Sequence, residues 1–124
     1  MTKLFFGTPK VHSVDEKGRV SVPAGFRGNL PNNHVLLAYA ARHLIRCYPE
    51  DVYKQKTPEM LRRPEEDRNR QIFFSAEEVE IDKKGRILIP GRMGGLDEVV
   101  FAANGNILNI YDPKKLPERY QAKL

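Results

Sequence analysis

Cysteine is almost absent: Cys47 stands alone among 124 residues, which excludes an intrachain disulfide and leaves no cysteine cluster to hold a metal. Its expected role is that of a small buried apolar residue. Long apolar runs are missing too. No stretch approaches the roughly 18 residues that span a bilayer, and Leu4-Phe5-Phe6 is too short for a secretory signal. A cytoplasmic chain is expected. The three histidines, His12, His34 and His43, are scattered without a ligand spacing, so neither a metal nor another cofactor is expected. Also lacking are a paired acid and base on one turn, a nucleophile motif, and a glycine-rich phosphate loop with a correctly spaced lysine. Nothing here argues for an enzyme or for a small-molecule substrate.

What is present is a moderately apolar, strongly charged chain: 40% hydrophobic, 30% charged, with a formal net charge of +5. That length and composition suit one compact domain, or two half-domains sharing a core. The positive balance favours encounter with polyanions such as nucleic acid.

One ten-residue segment is written twice. Val14-Asp15-Glu16-Lys17-Gly18-Arg19-Val20-Ser21-Val22-Pro23 returns 67 positions later as Ile81-Asp82-Lys83-Lys84-Gly85-Arg86-Ile87-Leu88-Ile89-Pro90. Asp, Lys, Gly, Arg and Pro are identical in register, and the aligned apolar residues change only between Val and Ile. A repeat at this distance predicts two similar units packed as a pseudo-symmetric pair. A charged turn kept twice, rather than a core, predicts two copies of one job.

Each copy reads as an extended approach, a turn at Lys-Gly and an apolar strand ended by proline, which cannot donate to a ladder. Ile87-Leu88-Ile89 is apolar on both faces, as a strand covered on both sides would be, with another subunit as one candidate cover. Short helical turns follow, over Ala24 to Leu30 and Gly91 to Leu96. Strand pairs come next: His34–Tyr39 with Leu44–Tyr48, and Val99–Ala102 with Ile107–Tyr111. Asn104-Gly105-Asn106 predicts a tight hairpin, while Ala41-Arg42-His43 predicts a looser one. Proline then starts a helix in both halves, at Tyr48-Pro49 and at Asp112-Pro113. Thr57-Pro58-Glu59 reads as another helix start, and Pro64-Glu65-Glu66-Asp67 as the N-terminus of one more. Ser75-Ala76-Glu77-Glu78 is formally a capping box, but the alternation of Val79, Ile81, Ile87 and Ile89 assigns it to a strand. The fold class is mainly β with short helices (α+β). Residues 5–48 form a first half, 49–74 a helical connector, and 75–124 a second half with a C-terminal helix.

The two turns carry the chemistry. Lys17 with Arg19, and Lys84 with Arg86, put two cations at each turn. Both types bind phosphate oxygens, and arginine also pairs bidentately with guanine in the major groove. A solvated polar hairpin has the same composition, but two matching turns on a basic chain favour a DNA contact. Asp15 and Asp82 have three open roles: capping the turn's amides, orienting Arg19 or Arg86, or accepting from a cytosine amino group. The first two are favoured. Arg27, four residues past Pro23, contacts DNA or forms an ion pair. The matching position holds Gly94, with Arg92 nearby, so the halves are not equivalent.

Three elements together resemble the MraZ family of bacterial transcriptional regulators, built from two SpoVT-AbrB-type half-domains. They are Phe6-Gly7, Asp15-x-Lys17-Gly18-Arg19-x-x-x-Pro23-x-x-x-Arg27, and Ile81-Asp82-x-x-Gly85-Arg86-Ile87-x-Ile89-Pro90. Ile72-Phe73-Phe74 is also similar, and the likeness spans about residue 5 to residue 112. The resemblance implies a pseudo-two-fold, swapped-hairpin, barrel-like domain and assembly into homo-oligomeric rings. It further implies binding, at the nucleoid, to repeated double-stranded promoter elements upstream of division and cell-wall genes, with repression as the expected outcome. Carried over by motif, the DNA-binding residues are Asp15, Lys17, Arg19, Asp82, Lys84 and Arg86, with Arg27 added from the first copy. The chain is short for the family, and its C-terminal helix would be truncated. Two other readings are an AbrB-like antitoxin that binds a partner protein and a structural oligomer without DNA affinity.

Overall fold

Val20 and Ile87, the central apolar residues of the two repeated strands, lie opposite one another. They pair in a two-stranded antiparallel ribbon of β2 (Arg19–Ser21) and β6 (Arg86–Leu88), with Arg19 opposite Leu88 and Ser21 opposite Arg86. Side chains alternate along a strand. Val20 and Ile87 therefore enter the core, each 1% exposed, while Arg19, Ser21, Arg86 and Leu88 share the outward face.

The computed structural model describes residues 4–28, 30 and 33–121. The remaining strands are β1 (Lys10–Ser13), β3 (His34–Ala41), β4 (Leu44–Pro49), β5 (Glu77–Glu80), β7 (Glu98–Asn104) and β8 (Ile107–Tyr111). The helices are α1 (Ala24–Arg27), α2 (Glu50–Leu61), α3 (Arg68–Phe74) and α4 (Glu118–Gln121). Single 3-10 turns cover Gly91–Met93 and Pro113–Lys115.

Six strands form one antiparallel sheet in the order β1-β7-β8-β4-β3-β5. Exchanging the two halves (β1 for β5, β3 for β7, β4 for β8) turns this order into its own reverse. The pseudo-two-fold runs between β4 and β8 and through the Val20–Ile87 pair. β1 pairs with β7 and β5 with β3, so each half lends its first strand to the other. The halves are thus swapped into a single sheet. The fold is the expected mixture of strands and short helices, and the sheet itself stays open.

Both faces of the sheet are buried, because β3 and β7 are apolar at successive positions. Val35, Leu37, Val99 and Phe101 pack against Val20, Val22, Ile87 and Ile89 of the ribbon. Cys47 belongs to this core, and its burial pushes the thiol up to about 12, which leaves it unreactive at neutral pH. On the opposite face Ala38 and Tyr48 meet Val52 and Phe73 of the connector helices. There the Tyr53 ring stacks on Phe73 at 4.0 Å, and its hydroxyl donates to the Phe73 carbonyl at 2.7 Å. Val100, Ala102 and Tyr111 pack on Leu116.

Most turns follow local chemistry. Gly105, at φ +64°, lets β7 and β8 close in two residues, with Asn104 opposite Ile107. The glycine-free Arg42-His43 turn is accompanied by a register irregularity between Tyr39 and Ala41. Ser75 caps the C-terminus of α3, and Glu77 onward is strand.

Three local expectations are corrected. Thr57-Pro58 starts no helix, since α2 runs through Pro58. Pro58 and Lys54 both face solvent, so water can serve the Lys54 carbonyl that proline leaves without a donor. The acidic run after Pro64 precedes α3 instead of forming its first turn, and Asp67 caps the helix by accepting from the Arg70 N–H at 3.0 Å. Asp112-Pro113 opens only a 3-10 turn, capped by Asp112 on the Lys114 N–H; α4 begins five residues later, and positions 122–124 of the expected C-terminal helix lie outside the described residues. Leu88 is 51% exposed, so within one chain only one face of β6 is covered. Among the described residues no helix is long and apolar enough to cross a membrane.

Candidate nucleic-acid interface

Each repeated turn is braced by its own aspartate in the same way. Asp15 Oδ1 accepts from the Lys17 and Arg19 backbone N–H groups at 2.9 and 2.8 Å, and Oδ2 accepts from Arg19 Nε at 2.8 Å. Asp82 repeats this with Lys84, Arg86 and Arg86 Nε, all at 2.9 Å. The Gly18 and Gly85 N–H groups donate back to the Asp15 and Asp82 carbonyls. Both favoured aspartate roles are met by one carboxylate: it closes the turn and fixes the arginine. Only Nε of each guanidinium is used. Among the described residues the terminal nitrogens of Arg19 and Arg86 take no partner, and these are the groups that a phosphate or a base edge could occupy.

The aspartates are held below their ordinary value of 3.8, chiefly by the hydrogen bonds from the Arg19 and Arg86 backbone amides, with the arginine side chains adding to the effect. A carboxylate depressed in the folded state contributes its brace above its unfolded pKa and loses it as pH falls through the lower folded value. The Nε–H signals of Arg19 and Arg86 in NMR spectra should therefore lose their hydrogen-bonded shifts together, only below 3.8. Loss of these shifts near neutral pH would contradict the brace.

The ribbon sets the arginine positions. Arg19 and Arg86 stand on its outward face as diagonal neighbours, a relation that separates such residues by roughly 7–8 Å. Their turns lie at opposite ends of the ribbon: the Gly85 carbonyl accepts from Val22 N–H, and the Gly18 carbonyl from Ile89 N–H. The four residue steps from Gly18 to Val22 span roughly 13 Å. The side chains of Arg19 and Arg86 are 32% and 25% exposed, and Lys17 and Lys84 are exposed outright.

Arg27, a candidate from the first repeat, lies beside the turn of the second repeat. It remains exposed, yet its guanidinium and Cδ lie so close over Gly85 that a Cβ there would overlap them. Arg92 does not take the equivalent position in the other half. It is held by Glu77 at 3.3 Å and by the Ser75 carbonyl at 3.0 Å. The signal available in the sequence was Arg27 at the position whose repeat partner is Gly94, but contact across 58 positions has no local signature.

Gly18 and Gly85 both adopt positive φ, +84° and +78°, where alanine is strained by about 1–2 kcal/mol. A Cβ on Gly18 meets only ordinary contacts, whereas one on Gly85 strikes Arg27. Arg27 is exposed and can swing aside, so Gly18→Ala and Gly85→Ala should lower the melting temperature by similar amounts set by the positive φ, and a loss at only one of them would contradict this.

Among the described residues no three His, Cys, Asp or Glu side chains come together as a metal site. His34 lies beside Glu78 and Glu50, His43 beside Asp112, and His12 packs edge-on against Phe101.

Residues 72–124 match the profile of a family described as "MraZ protein, putative antitoxin-like". Over 98% of its length the chain is 30% identical to a protein named transcriptional regulator MraZ from Anaeromyxobacter dehalogenans strain 2CP-C, covering 92% of that protein. It is 31% identical to a protein of the same name from Lachnoclostridium phytofermentans, over 84% of this chain and 79% of the relative. A third, from Roseiflexus castenholzii, is 30% identical over 84% and 78%.

Proposed function

The chain belongs to the MraZ family, and from that premise we propose that it is a DNA-binding transcriptional regulator whose two aspartate-braced turns contact the double helix. The observation that carries this reading is the placement of Arg19 and Arg86 on one outward face, with unused terminal nitrogens and exposed lysines beside them. Phosphate contacts would come from Lys17 and Lys84 and base-edge or phosphate contacts from the arginines. Asp15 and Asp82 hold those arginines in place and need not touch DNA.

One turn neutralises few phosphates, so a lone protomer binds weakly at physiological salt. Ring-like assembly on repeated elements raises the effective concentration of each later contact, and overall affinity rises about 10²–10⁴-fold. Phe6, 76% exposed, and Val11, exposed on the edge strand β1, support assembly, since open edges and exposed apolar side chains favour pairing with another chain. Repression follows from occupying the promoter, with division and cell-wall genes as the proposed targets at the nucleoid. A gel shift with the DNA upstream of the protein's own coding region tests the reading. Retardation in discrete steps supports it, and free DNA at micromolar protein in low salt rejects it.

A further inference from the structure

The two turns share one brace but differ in charge and surroundings. In the first turn Lys17 and Arg19 are matched by Asp15 and Glu16. In the second, Lys83, Lys84 and Arg86 face Asp82 alone, and Arg27 reaches across from the other half to lie over Gly85. The cover is visible in the glycines themselves, for Gly85 is buried while Gly18 is half-buried. At the pseudo-equivalent place beside the first turn, Gly94 leaves an open cleft of about 460 Å³, bordered by Gly18, Lys17, Leu88, Gly91 and Asp97. The guanidinium that fills the second turn's flank is thus replaced by a void with an aspartate on its wall.

We infer that the pair is functionally asymmetric: the second turn, completed by Arg27 from the first repeat, is the principal phosphate-anchoring site, and the first turn is a weaker, reading contact. The inference rests on the DNA-binding function proposed above. Affinity for a polyanion follows the number of cations that displace counterions from phosphates. Arg27 adds such a cation where three already stand, and at the first turn Glu16 and Asp97 oppose the field of Lys17 and Arg19. Arg27 is therefore a DNA-contacting residue that acts with Lys84 and Arg86, although it comes from the other repeat. Its exposure also makes it removable without opening the core.

The test is fluorescence anisotropy with labelled DNA from upstream of the protein's own coding region, repeated over a range of salt concentrations. The expected results are a loss of affinity for Arg86→Ala several-fold larger than for Arg19→Ala. For Arg27→Gln the slope of log affinity against log salt becomes shallower by about 1 for each phosphate contact removed. Glu16→Lys, which gives the first turn the residue found at position 83 of the second, should tighten binding and steepen the slope. Equal losses for Arg19→Ala and Arg86→Ala, with an unchanged slope for Arg27→Gln, would overturn the asymmetry while leaving DNA binding in place. Wild-type binding by both arginine variants would instead reject the underlying function. Circular dichroism on each variant separates a binding loss from unfolding.

Discussion

Replacing Arg19 and Arg86 together with alanine is expected to reduce DNA affinity at least 100-fold while the protein still folds and assembles. Each arginine contact with a base edge or phosphate contributes about 1–3 kcal/mol, and in an oligomer the loss recurs at every subunit that touches DNA. The cost to folding is small by comparison. The Arg19–Asp15 and Arg86–Asp82 pairs lie at the surface, where such pairs contribute about 0–1 kcal/mol. The carboxylates keep their backbone amide partners, so neither is stranded. Anisotropy measures the first effect and thermal denaturation the second. Unchanged binding by the double variant would remove both arginines from the interface, and a collapsed melting transition would assign them to the scaffold instead.

The second large effect belongs to the scaffold. Ile87→Ala should destabilise the protein by about 2–5 kcal/mol, the range for truncating a buried isoleucine, against a total of about 5–15 kcal/mol for a domain. Ile87 is 1% exposed and faces Val20 in a ribbon only three residues long on each side. Few contacts remain there to absorb a cavity. Leu88→Ala, one position along on the outward face, should stay within about 0.5 kcal/mol. Urea denaturation of the two variants distinguishes them, and similar midpoints would contradict the alternation that puts Arg19 and Arg86 outside. Because Ile87 anchors the ribbon that carries both turns, its loss should weaken DNA binding as well, through position and not through contact.

Much of this was legible in the chain because the informative residues act locally. An Asp, Lys, Gly and Arg spaced as in residues 15–19 and 82–86 can close the same turn wherever they occur, so the repeat predicted two identical braces. Asn104-Gly105 specified its hairpin for the same reason. The failures have equally physical causes. Thr57-Pro58 looks like a helix start, yet a proline whose lost hydrogen bond faces water is tolerated inside α2. The exchange of β1 and β5 between halves, and the packing of Arg27 on Gly85, join residues far apart in the chain. No spacing rule encodes such contacts; they follow from the swapped topology. The resemblance to a known family implied the exchange, but not that the exchange would arm one turn more heavily than the other.

DNA is expected to lie across the ribbon face bearing the two repeated turns. Arginine modification by a dicarbonyl reagent, mapped by mass spectrometry with and without bound DNA, tests it most directly. Arg62 and Arg68, exposed on the connector, serve as internal controls in the same sample. Bound DNA should slow modification of Arg19, Arg27 and Arg86 and leave Arg62 and Arg68 unchanged. Equal rates at Arg19 and Arg86 in the free and bound protein would contradict it.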